Sequence, residues 1–266
     1  MALSLNGDTR LCFCVGDPIA QVKSPAGLTR VFNERGENAV CVPAQVRAVD
    51  LDEFMRGAKR MLNADGMVIT VPHKFSAFGH CDAVTNRARF LGAVNVMRRE
   101  RDGGWRGDMT DGVALVAALR AAGFEPRGRK ALVVGAGGAG SAVAFALVEE
   151  GLARLGLCDA DLGRRDDLAA RLAGRTSATV HAHAADPDGF DLVVNATPVG
   201  MAPGDPIPLA ADRLVRGTIV ADLITLPPVT PLLEAARSRE CGIVTGADMF
   251  APQAGILADF LLAARV

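Results

Sequence analysis

A lysine and an aspartate able to pass a proton between them are the residues on which a chemical reading of this chain turns. Lys74 lies in Val71-Pro72-His73-Lys74 and Asp111 in Gly107-Asp108-Met109-Thr110-Asp111-Gly112. A glycine-rich turn follows farther along, Gly135-Ala136-Gly137-Gly138-Ala139-Gly140. Such a pair ahead of a dinucleotide site points to proton transfer coupled to hydride transfer. Each motif alone is weakly specific; their order along one chain is what makes the reading.

The turn has the clearest physics. Ala131-Leu132-Val133-Val134 is a short apolar run suited to a buried parallel strand, and Ser141 to Val148 reads as a helix. Strand, glycine turn and helix are the context a dinucleotide fingerprint requires. Gly135 permits the tight turn, Gly137 lets backbone N–H groups reach a pyrophosphate, and Gly140 lets the helix pack against the strand. Gly138 and Ala139 complete the cradle. Asp159 ends a second apolar run, Leu155-Gly156-Leu157-Cys158, where a carboxylate would hold the adenine ribose 2′-OH and repel a 2′-phosphate. NAD is therefore expected ahead of NADP, although Arg164 and Arg165 follow and could clamp a 2′-phosphate.

Composition bounds the rest. The 266 residues, 50% of them hydrophobic, suffice for two modest domains or one large one. Lys plus Arg is 29 and Asp plus Glu 30, a balance that gives no electrostatic case for nucleic acid or a membrane surface. No apolar run approaches the ~20 residues of a spanning helix. Asp8 and Arg10 precede no long apolar stretch, so the expected location is cytoplasmic. Tyrosine is absent, which removes tyrosine-based acid catalysis. None of the six cysteines forms a Cys-x-x-Cys pair, and they read as free thiols in a reducing compartment. His80-Cys81-Asp82 and His181-x-His183 lack zinc-site spacing, so no metal is expected. The pattern specifies no oligomeric state.

The elements that must carry these residues alternate. Residues 11–15, 39–43, 67–71 and 94–98 read as strands, and 24–33, 51–62 and 87–91 as helices, which implies a largely parallel sheet. Ser24 reads as the N-cap of its helix, with Pro25 in the first turn. A second unit starts near Thr110 with a helix to about 122, then the nucleotide turn and strands at 155–158, 192–195 and 218–223. An apolar helix at 251–264 ends the chain.

At this point the chain resembles the shikimate/quinate dehydrogenase family over nearly its whole length. The resemblance is carried by Gly16-Asp17-Pro18-Ile19-Ala20 with Ser24-Pro25, by Thr70-Val71-Pro72-His73-Lys74, and by Gly92-Ala93-Val94-Asn95. It continues through Thr110-Asp111-Gly112, the glycine turn, Asn195-Ala196-Thr197-Pro198-Val199-Gly200-Met201, and Gly246 to Gln253. It implies an α/β protein with an N-terminal substrate domain (1–108), a Rossmann-type dinucleotide-binding domain (109–240) and a C-terminal segment (241–266) whose helix returns to the first domain. Substrate would meet Ser24, Thr70, Asn95 and Gln253, with Lys74 and Asp111 catalytic. Cofactor would meet Gly135 to Ala139, Asp159, Asn195, Thr197, Pro198, Met201, Leu223, Gly246 and Met249.

The departures from the family pattern matter as much. Val22, Val68 and Thr225 stand where the family usually has serine, asparagine and tyrosine, groups that bind a ring carboxylate or line its end of the pocket. Met109 replaces a usual asparagine. Where the family often continues Asn-Arg-Thr toward an NADP phosphate, this chain reads Asp159-Ala160-Asp161. The expected protein is thus an NAD-dependent oxidoreductase acting reversibly on a ring secondary hydroxyl of shikimate, quinate or a related cyclic polyol. The alternative is a cofactor-binding paralogue without catalysis, a sensor or scaffold; retention of both Lys74 and Asp111 argues for the enzyme.

Overall fold

The computed structural model describes residues 5–263. The chain divides into two compact units, Met1–Thr110 with Gln253–Val266, and Asp111–Pro252.

In the first unit, β1 (Arg10–Gly16), α1 (Ser24–Glu34), β2 (Ala39–Gln45), α2 (Leu51–Arg60) and β3 (Ala64–Ile69) come first. Then follow α3 (Lys74–Phe78), β4 (Ala83–Val84), α4 (Asn86–Leu91), β5 (Val96–Arg99) and β6 (Trp105–Asp108). Spacing explains the helices. Leu28 and Phe32 give α1 one buried stripe, and Leu51, Met55 and Ala58 do the same for α2, whose Asp52, Glu53, Lys59 and Arg60 complement the helix dipole. Gly92, at φ 62°, ends α4 in the left-handed region.

The sheet order is β2-β1-β3-β5-β6-β4. It is mixed: three of its five strand pairs are parallel, and β5 runs antiparallel to both β3 and β6. The cause is local. Glu100 N–H donates to Gly104 O and Gly103 adopts φ 88°, so the chain reverses in a hairpin instead of crossing over.

The second unit opens with α5 (Asp111–Ala121), β7 (Lys130–Val134), α6 (Gly138–Glu149), β8 (Arg154–Cys158), α7 (Leu162–Ala173) and β9 (Thr179–Ala182). It continues through β10 (Leu192–Asn195), β11 (Ile219–Asp222), α8 (Pro231–Ser238), β12 (Gly242–Val244) and the first part of α9 (Gly246–Leu262). All strand pairs are parallel, in the order β12-β11-β10-β7-β8-β9. Counted from β7, that is the 3-2-1-4-5-6 order of a doubly wound nucleotide-binding sheet, whose ligand crevice lies where the order reverses, between β7 and β10. A Cβ on Gly112 would strike the Ala142 carbonyl, which explains how closely α5 and α6 approach.

Three expected boundaries change. The last segment does not begin at 241, because β12 pairs in register with β11 and belongs to the second sheet. The first unit runs to Thr110 and not 108, because the Thr110 side chain and N–H bond Asn95. The final helix starts at Gly246 rather than 251; its expected end at 264 lies outside the described residues. Its C-terminal part supplies Leu257, Ala258 and Leu261 to the apolar cluster that holds Cys12, Cys14, Leu28, Phe32, Val68 and Val96. Arg98 fastens it, donating to Phe260 O at 2.9 Å.

Candidate active site

The first unit presents its candidate residues where strands end. Lys74 is half-buried and opens α3. Its carbonyl accepts from Val94 N–H at 2.9 Å, which ties it to the turn that carries Asn95. Asn95 is buried and exchanges bonds with Thr110: Thr110 N–H donates to its Oδ1 at 2.8 Å, and its Nδ2 donates to Thr110 Oγ1 at 3.0 Å. Thr70, half-buried just past β3, sets its methyl over Gly16, where no Cβ would fit. Gln253 lies half-buried on α9, in the part of that helix assigned to the first unit.

Beneath Asn95 sits a residue the sequence reading missed. Asp108 is 1% exposed and accepts from Arg87 Nε at 2.7 Å, Arg87 Nη2 at 2.5 Å, Thr85 Oγ1 at 2.5 Å and Met109 N–H at 2.7 Å. Its carbonyl accepts from Asn95 N–H at 2.9 Å. Four donors on one buried carboxylate anchor the strand end from which Thr110 projects. Its position inside the Gly107–Gly112 motif was visible; its side-chain partners Arg87 and Thr85, more than twenty positions back, were not.

The other end of this half is apolar. Val22 and Val68 pack in the same cluster as Cys14 and Leu28, and Met109 is wholly buried. Ser24 is not the N-cap of α1: Lys23 holds that position without a side-chain bond, and Ser24 begins the helix with Pro25. Burial pushes the Cys14 thiol up to about 12, against a lowering hydrogen bond with Ser24, so the hydroxyl faces a neutral sulfur.

In the second unit Asp111, 3% exposed, is the first residue of α5, where its charge complements the helix dipole. The glycine turn follows β7. Gly135 has φ 102°, and a Cβ there would meet the Ala196 backbone at 2.9 Å and Thr197 Cγ2 at 3.0 Å. Gly140 has the Gly135 carbonyl where its Cβ would be. Gly137, the N-cap of α6, has open space in front of it. The N–H groups of the first turn, through Gly138 and Ala139, lack intrahelical partners. These residues fit a dinucleotide pyrophosphate: the cradle is open where an anion would sit and closed where backbone packs on backbone.

Asp159 follows β8 with its carboxylate nearly buried. Its Oδ2 accepts from Ala136 N–H at 2.5 Å and its Oδ1 from Asp161 N–H at 2.8 Å. Arg164 reaches toward both carboxylates, 4.0 Å from Asp159 and 3.3 Å from Asp161. Arg165 pairs instead with Asp166 at 2.8 Å.

Asn195 is 0% exposed, at the end of β10. Its Oδ1 accepts from Thr197 N–H at 3.1 Å and Thr197 Oγ1 at 2.7 Å, and its Nδ2 donates to Val199 O at 3.2 Å and Asp222 Oδ1 at 3.1 Å. Its amide is occupied in shaping the turn that leads to Pro198 and Met201, both exposed. Leu223 N–H donates to Asn195 O at 3.0 Å. Gly246 sits against the carbonyls of Leu223 and Ile224, leaving no room for a side chain. Thr225 is half-buried and Met249 buried. Among the described residues no group of three or more His, Cys, Asp or Glu is arranged to hold a metal, and no helix is long and apolar enough to cross a membrane.

Known proteins resemble this chain along most of its length. The family described as the shikimate dehydrogenase substrate binding domain matches residues 14–97. A relative named shikimate dehydrogenase (NADP(+)), from Rubrobacter xylanophilus, is 38% identical over 247 residues, covering 91% of this chain and 87% of its own. The solved 5-ketofructose reductase of Gluconobacter sp. strain CHM43 is 30% identical with a TM-score of 0.86, covering 96% of this chain and 93% of its own. A shikimate 5-dehydrogenase from Listeria monocytogenes, solved with shikimate and NAD, is 25% identical with a TM-score of 0.88, covering 97% and 93%. The chain belongs to the shikimate dehydrogenase family. It is accordingly a pyridine-nucleotide oxidoreductase acting on a CH–OH group.

Asp222 yields a test of the turn network. It accepts from Asn195 Nδ2, from Ile224 N–H at 3.1 Å and from Thr230 Oγ1 at 2.7 Å, yet burial pushes its carboxyl above the usual carboxylate range. A raised folded-state value means stability present at low pH and lost as pH rises from the ordinary carboxylate range through the raised value. Asp222→Asn keeps an acceptor toward Ile224 and offers Thr230 a donor. Urea midpoints of wild type relative to D222N should fall as pH rises through that window. A difference independent of pH would show that Asp222 titrates as it does in the unfolded chain.

Proposed function

We propose that this protein reversibly oxidises a secondary hydroxyl of a cyclic polyol, using NAD, with Lys74 and Asp111 handling the hydroxyl proton. The observation that supports this most is the bond between Lys74 O and Val94 N–H, which holds the lysine to the segment presenting Asn95. Lys74 supplies donors to a vicinal hydroxyl pair, Asp111 accepts, and Asn95 and Gln253 can do both. Thr70 and Ser24 add hydroxyls. Lys74 and Asp111 share the alcohol proton as a coupled pair as the C–H bond breaks. A bound nicotinamide would supply the hydride acceptor. On the cofactor side Gly135 to Ala139 would hold the pyrophosphate, and Asn195, Thr197, Pro198, Met201, Leu223, Gly246 and Met249 would shape the nicotinamide end.

Turnover assays with Lys74→Ala test the assignment directly. The variant should lose about 10²-fold or more in kcat with little change in cofactor dissociation constant, since a positioned acid–base group contributes on that scale. Near-normal kcat would remove Lys74 from the chemistry, and absence of turnover by wild type on any cyclic polyol would favour a sensor or scaffold.

The substrate reading follows from the valines that stand where the family usually has carboxylate-binding polar groups. Val22, Val68 and Cys14 offer a carboxylate no charge, and leaving its hydrogen bonds unmade costs ~1–3 kcal/mol each. Neutral polyols and hydroxyketones are the expected substrates, the class that includes the compound for which the Gluconobacter reductase is named. Shikimate should show a KM at least about tenfold above that of the best neutral substrate, the effect of one such lost interaction. A micromolar KM for shikimate would overturn this.

For the cofactor, the Asp159 carboxylate weighs against a 2′-phosphate, whereas the Rubrobacter relative is named for NADP(+). Arg164, the nearest candidate clamp, is engaged by Asp159 and Asp161. The ratio of kcat/KM values should favour NAD, and Ala160→Arg should move it toward NADP by ~10-fold through paired phosphate hydrogen bonds. Wild-type preference for NADP would mean that Arg164 leaves its carboxylates for the phosphate.

A further inference from the structure

Three loops meet beyond the carboxyl ends of β1, β2 and β3. Backbone bonds join the first loop to each of the others: Val46 N–H donates to Gly16 O at 3.1 Å, and Asp17 N–H donates to Val71 O at 3.0 Å. A side chain joins the second loop to the third. His73 Nε2 lies 2.7 Å from Val46 O, and the residue is 1% exposed. A carbonyl can only accept, so the ring carries its proton on Nε2. The backbone of His73 is held at both ends, its N–H donating to Thr70 O at 2.9 Å and its carbonyl accepting from Ala77 N–H at 2.8 Å. The next residue is Lys74, on a helix of five residues. A helix that short does not persist by its own hydrogen bonds and takes its place from what anchors it.

We propose that His73 is a positioning residue for Lys74. Its imidazole, donating to the Val46 carbonyl, locks the first turn of α3 onto the loop after β2, and through Gly16 onto the loop that precedes Ser24. The lysine is thereby set by a buried ring whose Nε2 is spent on a backbone carbonyl. This rests on Lys74 as the proton-handling group. Small displacements of such a group are costly, about 10²-fold in rate for 1 Å.

The test compares His73→Met, which fills the site without a donor, with His73→Gln, which keeps a donor at similar reach. Steady-state kinetics, cofactor dissociation constants and Tm are measured for both, with Lys74→Ala in parallel. His73→Met should lose ~10-fold or more in kcat and in kcat/KM together, the mark of an interaction realised in the transition state, with cofactor affinity unchanged. His73→Gln should recover to within about threefold of wild type even where its Tm falls as far as that of the methionine variant. If His73→Met does not fold, His73→Phe takes its place in the comparison. Equal kcat in the donor and donor-free variants overturns the proposal when Lys74→Ala is inactive. An active Lys74→Ala overturns the role of Lys74 first, and this proposal with it.

Discussion

Backbone must pack on backbone where the glycine turn meets the end of β10. The Gly140 hydrogen faces the Gly135 carbonyl, and Gly135 itself faces Ala196 and Thr197. A single methyl at either position would push α6 away from the turn. The helix N-terminus would then no longer point into the crevice between β7 and β10, where the strand order reverses. Asn195 holds the other side of that crevice in shape by spending its whole amide on neighbouring groups. Gly246 extends the same constraint toward the end of the unit, lying against the carbonyls of Leu223 and Ile224. The nucleotide half is therefore defined by absent side chains as much as by present ones.

The substrate half is built differently. Its loops are sewn together by hydrogen bonds from Val46, Asp17 and His73, and its floor is pinned by a buried carboxylate, Asp108, with Arg87 and Thr85 upon it. Removing one member of such a group leaves the others buried without partners, which costs more than the bond itself was worth. The apolar cluster of Cys12, Cys14, Val68 and the end of α9 lies under the same loops.

Much of this was legible in the residues. Ala131 to Val134 read as a buried strand and became β7, and Ser141 to Val148 read as a helix and lie in α6, because both follow from local sterics. Helices with a stripe such as Leu51, Met55, Ala58 were legible for the same reason. The antiparallel pairing of β5 with β3 and β6 was not, since parallel and antiparallel pairing leave similar alternation in one strand. Nor were β12 and the true start of α9: Gly242 to Val244 is too short to show a period, and its pairing with β11 is a tertiary fact. Asp108, Asp222 and His73 share that obstacle. What gives each its role is a partner far away in the chain, and one sequence shows the residue without the partner.

Asp159 bears a consequence for how the glycine turn tolerates change. Its two oxygens already hold Ala136 N–H, inside the glycine turn, and Asp161 N–H, at the start of α7. An amide at that position has one acceptor oxygen for two donors. Substitution there would loosen the bond that ties the glycine turn to the segment after β8. Exposed Ala160 next to it carries no such bond, so its side chain can change while the carboxylate stays a structural pin.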